Sequence, residues 1–157
     1  MLLFHLFSMF NYERSIDDRN FNITKISLIE DNTVKGFIEL VSISHSEWMS
    51  LFSDMKSFKL VFNDLDCEDE KEWISDYNRI KDFFVNKPST DYIFIEEEYR
   101  GQGLGEKLYK EALSHFKSLG YEFIYSDNIL SEEGSSLLKT LEDNGLASKS
   151  GDRYIIG

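Results

Sequence analysis

Tyr92-Ile-Phe-Ile95 runs through Glu96-Glu-Glu-Tyr99 into Arg100-Gly-Gln-Gly-Leu-Gly105, and an amphipathic segment begins at once. The order is an apolar strand, a glycine-rich turn and a helix. Three glycines at alternate positions let the main chain turn tightly and leave several N–H groups unobstructed by side chains. They fall at a helix N-terminus, where orphan donors and the macrodipole favour an anionic group such as a diphosphate. The plainer alternative is a strand-to-helix turn whose glycines serve backbone geometry alone. Three glycines within five residues make that alternative expensive in chain entropy.

Spacing separates the phosphate-bearing cofactors that such a turn suits. A Walker loop needs four residues between its first Gly and a Gly-Lys-Ser/Thr ending, whereas Lys107 here stands between Glu106 and Leu108. The dinucleotide fingerprint needs Gly-x-Gly-x-x-Gly, and counting from Gly101 the last position is Glu106, a carboxylate where a diphosphate would approach. Neither fits.

The stretch resembles the acetyl-CoA signature of the GNAT family of N-acetyltransferases, Arg/Gln-x-x-Gly-x-Gly/Ala, and Arg100 to Gly105 fill every defined position. The flanks agree: an apolar strand ends at Ile95, Glu98 and Tyr99 precede the Arg, and Leu108 follows the last glycine by three residues. The resemblance implies acetyl-CoA as cosubstrate. Main-chain groups of Ile93, Phe94 and Ile95 would pair with the pantetheine arm, and amides of Arg100, Gly101, Gln102, Gly103, Leu104 and Gly105 would hold the diphosphate. It also implies an α/β (α+β) fold, with a mixed, mostly antiparallel central sheet, a splayed parallel strand pair and flanking helices. The strand Tyr121–Ser126 would lie parallel to Tyr92–Ile95, with the thioester in the gap.

Outward toward the C-terminus the pattern predicts a helix from about Gly103 to Leu119 with Leu104, Leu108, Ala112, Phe116 and Leu119 on its buried side. Gly120 ends it. A second helix spans Ser131 to Asp143, N-capped by Ser131 and closed by Asn144-Gly145. Leu146 to Gly157 read as a hairpin. Toward the N-terminus, Leu2–Phe10, Phe21–Glu30 and Val34–Ile43 read as strands, the first of them buried, with a turn at Asp31-Asn32. Between Ser44 and Lys87 the pattern gives a short helix at Ser46–Phe52, a short strand at Phe58–Phe62 and a helix at Glu70–Phe84. The whole chain reads as one domain, 1–157. The resemblance covers 91–157 well and 1–90 poorly, because the family usually has two helices after its first strand. Either those are missing or the segment 44–87 replaces them.

Acetyl transfer from a thioester to an amine needs a neutral amine, a donor for the oxyanion and a proton for the thiolate. In the family a main-chain N–H near the end of the cofactor strand, here near Ile95, meets the oxyanion. Glu96, the first polar residue after the strand, is the candidate base, against the plain reading of a solvated surface acid. Asp91 and Tyr92 are alternatives. The family commonly protonates the thiolate from a Tyr seven residues after an Asn that touches the cofactor arm. Here Ser131 stands for the Asn and Leu138 for the Tyr. Tyr125 and Ser131 are the nearest replacements, water is another, and lost catalysis is a third outcome.

Bulk properties narrow the partners. Seventeen basic against twenty-nine acidic residues give a formal charge of −12, which disfavours nucleic acid and anionic membranes and suits a cationic amine acceptor. Six of the nine residues from Asp64 to Glu72 are acidic, most simply a solvated surface. Cys67 is alone, which fits a reducing, cytoplasmic setting, and His5, His45 and His115 form no metal constellation. Met1 to Phe10 is too short and too interrupted to span a bilayer. A homodimer is left open. Three readings follow: an N-acetyltransferase acting on a primary amine of a small molecule or protein by direct attack in a ternary complex; a non-catalytic acyl-CoA-binding module; and an acidic protein-interaction protein.

Overall fold

A computed structural model describes residues 9–128 and 130–157. One seven-stranded sheet carries the chain, in the order β1-β2-β3-β4-β5-β7-β6. β1 (Met9–Ile16), β2 (Asn22–Glu30), β3 (Thr33–Ser42) and β4 (Ser89–Ile95) form an antiparallel run. β5 (Ile124–Tyr125) joins β4 in parallel, and β6 (Ala147–Ser150) and β7 (Arg153–Ile156) form the terminal hairpin, with β7 against β5. The mixed, mostly antiparallel sheet with one parallel pair is the expected architecture.

Strand alternation assigns each face its own core. Ile26, Leu28, Ile38 and Leu40 are fully buried on one face. There they meet Leu104, Leu108, Ala112 and Phe116 of α4 (Leu104–Ser118) and Leu138 and Leu141 of α5 (Glu132–Asp143). Each such side chain contributes roughly 1.5–3 kcal/mol by leaving water. Val41, out of phase with Leu40, belongs to a second cluster with Phe21, Ile43, Trp48, Phe52, Phe58, Phe62 and Ile80. This cluster is roofed by α1 (His45–Leu51), α2 (Met55–Val61) and α3 (Glu70–Phe84). The indole of Trp48 donates to the Tyr77 hydroxyl at 3.0 Å, which satisfies the one polar atom of a buried ring.

Several expectations change. Phe58–Phe62 is part of a helix and its cap, not a strand. Phe58, Leu60 and Phe62 alternate like a half-buried strand, but Asp54 caps a helix by accepting from the Ser57 amide at 2.8 Å. Helical spacing then sends both phenylalanines inward and leaves Leu60 70% exposed. The first strand was expected over Leu2–Phe10. Residues 2–8 lie outside the described residues, and β1 continues instead to Ile16 as a largely exposed edge strand. Its polar run through Arg14 suits an edge that must not recruit another chain. β5 is two residues long rather than six, β4 starts earlier at Ser89, and Leu119 lies in solvent beyond α4.

Other expectations stand. Asp31 and Asn32, with φ of 52° and 60°, make the two-residue turn of the β2–β3 hairpin. α3 occupies Glu70–Phe84, and Ser131 caps α5 by accepting from the Gly134 amide at 3.0 Å. No helices lie between β1 and β2. Asp17 ties that short turn together, pairing with Arg19 at 2.7 Å and accepting from the Phe21 amide at 3.0 Å. The segment 44–87 therefore supplies the helical layer on that side of the sheet. Arg153 fastens this layer to the strands. Its guanidinium donates to the Phe83 carbonyl at 2.9 Å and the Ser89 hydroxyl at 3.1 Å, and lies 3.8 Å from the Phe83 ring centroid.

Candidate functional site

The sheet forks at its centre. β5 meets β4 at the single pair Ser89–Tyr125, and beyond it the outer edge of β4 borders a cleft of about 970 Å³. One wall is Tyr92 to Ile95, the floor is the glycine turn, and the far wall is α5 from Ser131 to Thr140. The structure thus brings Ile93, Phe94, Ile95, Arg100, Gly101, Gly103, Leu104, Gly105 and Ser131 onto one cavity. Gln102 is exposed in the turn and is not part of the wall.

The three glycines do two different jobs. Gly101 and Gly103 have φ of 78° and 76°, the left-handed region, and a Cβ on either would meet nothing within 4 Å. They shape the turn and keep its surface open. Gly105 is helical and faces Leu137, whose Cδ2 would stand 2.7 Å from an added Cβ, so this glycine sets the approach of α4 to α5. Among the described residues, α1, α2, α3 and α5 are capped by the side chains of Ser44, Asp54, Asp69 and Ser131, whereas α4 begins at Gly103 with no side-chain cap. Its first-turn amides therefore have no side-chain acceptor, and Gly103 to Glu106 line the cleft.

Charges on the walls are mixed. Arg100 is a cation at the turn, its Nε donating to the Ile95 carbonyl at 3.0 Å. Glu106, Glu132 and Glu133 are acidic lining residues, and Glu106 is paired with Lys110 at 3.2 Å. The open turn and uncapped helix fit a diphosphate, and the unpaired edge of β4 fits an extended amide-bearing arm.

Two bulges aim the strand. The β2–β3 register skips Lys35, whose carbonyl accepts the Glu96 amide at 2.9 Å and whose ammonium sits 4.3 Å above the Tyr99 ring. The β3–β4 register skips Asp91, which is exposed beside the fork. Gly36, next to the first bulge, lets β3 approach the Phe94 carbonyl closely.

The catalytic candidates fall elsewhere. Glu96 is exposed at the start of the 3-10 turn Glu97–Tyr99 and does not line the cleft. Tyr125 is half-buried at the base of the fork, with the Arg153 guanidinium 4.6 Å from its ring centroid, and is likewise outside the lining. Leu138 is fully buried in the core. Ser131 lines the cleft, but its hydroxyl is committed to the helix cap.

Sequence reading passed over Tyr109, whose phenol is buried on α4 behind Thr90 of β4. Burial pushes its pKa up to about 12; the nearby Thr90 hydroxyl partly offsets the rise, although it completes no hydrogen bond of normal geometry. The signal was a Tyr adjoining the apolar stripe. A phenol with a raised folded pKa contributes stability that is complete below the unfolded value near 10 and lost as pH rises through about 12. Tyr109→Phe should therefore move the alkaline unfolding midpoint upward, and the variant should lose the latest-titrating tyrosine in an absorbance titration. An unchanged titration would show that this phenol is not the late one.

The sequence model described as "Acetyltransferase (GNAT) family" matches residues 4–136. The chain belongs to the GNAT acetyltransferase family. The GNAT match includes the β4 edge, the glycine turn and the start of α5, and the sheet with its parallel β4–β5 pair and flanking helices is a GNAT-like α/β fold. A solved structure described as "The crystal structure of acetyltransferase" is similar at 14% identity and a TM-score of 0.46, over 84% of this chain. This chain spans 66% of that one, just under two thirds of its length. No curated protein matches. Among the described residues no helix is long and apolar enough to cross a membrane, and no group of three His, Cys, Asp or Glu is placed to hold a metal ion.

Proposed function

We propose that this GNAT chain transfers an acetyl group from acetyl-CoA to a primary amine of a small molecule or protein, by direct attack in a ternary complex. The observation that carries the reading is the uncapped N-terminus of α4 behind two left-handed glycines on the floor of the cleft, an arrangement suited to a diphosphate. From there an extended arm paired to β4 reaches the fork after four residues, roughly 13 Å, beside Asp91 and Tyr92.

In that pose the neutral amine attacks the thioester carbonyl carbon and the carbon–sulfur bond breaks. A carboxylate takes the proton released by the amine nitrogen, and the thiolate takes a proton from water or a nearby hydroxyl. Tyr125 at the base of the fork is the side chain proposed for that second role. Glu96 and Asp91 stand at opposite ends of the exposed part of β4, and the length of the arm favours Asp91 as base over Glu96. Asp91→Asn is expected to lower kcat about 10²- to 10⁴-fold with acetyl-CoA binding intact, and Glu96→Gln to change it much less. The reverse order would return the base to Glu96.

A second reading is favoured by Leu138, a fully buried aliphatic where the family commonly has its acid: a chain that binds acyl-CoA without turning it over. Thiol release from acetyl-CoA, with and without a panel of amines, decides between them. Amine-dependent release supports the enzyme; binding with no release under any acceptor supports the second reading. The acceptor, a cytoplasmic setting and a homodimer belong to this proposal. The −12 charge supports an amine that is cationic before it loses its proton and argues against nucleic acid and anionic membrane as partners.

A further inference from the structure

The two faces of the sheet are covered unequally near the cleft. α4 and α5 fill one face, while the helices of 44–87 cover the other only around Phe21, Val41 and Ile43. On the uncovered part stand Phe37 of β3 and Tyr92 and Phe94 of β4. Phe37 is the register partner of Phe94, and Tyr92 lies two residues back on the same side. Their ring centroids are 5.7 Å apart for Phe37–Tyr92 and 5.8 Å for Phe37–Phe94, and Tyr92 and Phe94 are parallel within 7° at 6.4 Å. The three rings make one continuous ledge, and its Tyr92 and Phe94 end forms a wall of the cleft. Tyr92 is 52% exposed, a large apolar surface left in water next to a binding cavity.

The charges around the ledge are mixed. The Lys25 ammonium stands 4.3 Å over Phe37 and the Arg100 guanidinium 5.9 Å from the Phe94 centroid, while Glu39, the register partner of both Lys25 and Tyr92, adds a carboxylate on the same face. Among the described residues no cation stands over Tyr92. Its open ring surface is therefore what selects: a flat aryl group stacks offset on Tyr92, a contact that a flexible aliphatic chain does not reproduce.

We infer that Phe37, Tyr92 and Phe94 form the acceptor subsite, and that the preferred acceptor is a primary amine carried on a planar aryl group, its amine directed to the fork beside Asp91. This rests on the acetyl-transfer reading for the identity of the second substrate.

The test compares 2-phenylethylamine with hexylamine and putrescine, by thiol release and by calorimetric titration into protein saturated with CoA. The aryl amine should have the highest kcat/KM and bind at least as tightly as either aliphatic amine. Phe37→Leu keeps the bulk of a residue outside the cofactor cleft while removing one ring. It should weaken binding of the aryl amine roughly three- to tenfold, weaken hexylamine less, and leave the response to acetyl-CoA unchanged. Equal or better use of putrescine, or an unaltered aryl amine affinity in Phe37→Leu, overturns the subsite. If no amine is turned over but the aryl amine binds in this ring-dependent way, the ledge stands and the transfer reading fails. If acetyl-CoA stabilises the protein and the aryl amine does not bind, the ledge fails alone.

Discussion

Gly103→Glu is expected to abolish stabilisation of the protein by acetyl-CoA. For the native chain, cofactor at one hundred times its dissociation constant contributes about 2.7 kcal/mol, a rise in thermal midpoint of roughly 5 to 11 °C for a domain of this size. ATP and NAD at equal concentration should give no such rise. Gly103 has a φ of 76°, and a Cβ added there would meet no atom within 4 Å. What a glutamate brings is a left-handed backbone cost of roughly 1–2 kcal/mol and a carboxylate against the first-turn amides of α4. The charge would occupy the donors meant for the diphosphate and repel it. Gly103→Asn, which tolerates the same φ without a charge, separates the two effects and should keep a measurable response. A folded Gly103→Glu that responds like the native protein would mean that the cofactor lies elsewhere.

Gly36→Val should be the most damaging substitution in the sheet. A Cβ at this position would stand 2.5 Å from the Phe94 carbonyl oxygen and 3.2 Å from the Ile95 Cα, both main-chain atoms that cannot rotate away. Only separation of β3 from β4 relieves the contact. The expected loss is roughly 2 to 4 kcal/mol, read as a drop in urea midpoint at unchanged slope. Response to acetyl-CoA should fall with it, because the displaced segment is the edge proposed to hold the cofactor arm. Gly105→Ala provides the comparison. Its Cβ would meet the Leu137 side chain at 2.7 Å, but a leucine tip can turn aside, so the loss should be smaller. Equal stability of Gly36→Val and the native chain would show that the close approach is not required.

The two glycines illustrate what the sequence could and could not disclose. Gly103 was legible because its spacing from Gly101 and Gly105, after an apolar strand and before an amphipathic helix, is a local pattern with a local cause. The start of α5 was legible for the same reason, since Ser131 sits one residue before the helix it caps, and α3 was legible from the helical spacing of its apolar residues. Gly36 was not legible, because its meaning depends on a strand nearly sixty positions downstream. Nor was the bulge at Asp91, which exists only in the pairing of β4 with β3. Phe58–Phe62 misled because three apolar residues at alternate positions suit a strand as well as a two-turn helix with one exposed leucine. The ledge was hidden too: Phe37 read as a strand aromatic and Tyr92 as an alternative base until the register set them side by side. For the catalytic groups, a single sequence offers residue types but no distances, and Glu96 was chosen by adjacency alone.

The separation of β3 from β4 along the chain has a bearing on how the molecule is made. β1, β2 and β3 are joined by two short turns, so their pairing closes only small loops. β4 must join the same edge after the whole of α1, α2 and α3 has intervened, and its parallel partner β5 follows only after α4. Ordering a long loop before its contacts form is the slow part of folding. The three-stranded meander can thus arise early, and the fork, which needs β4, β5 and both flanking helices, is completed last. Ligand occupancy of this site therefore registers the finished molecule and no earlier state, so acyl-CoA would slow unfolding far more than it hastens folding.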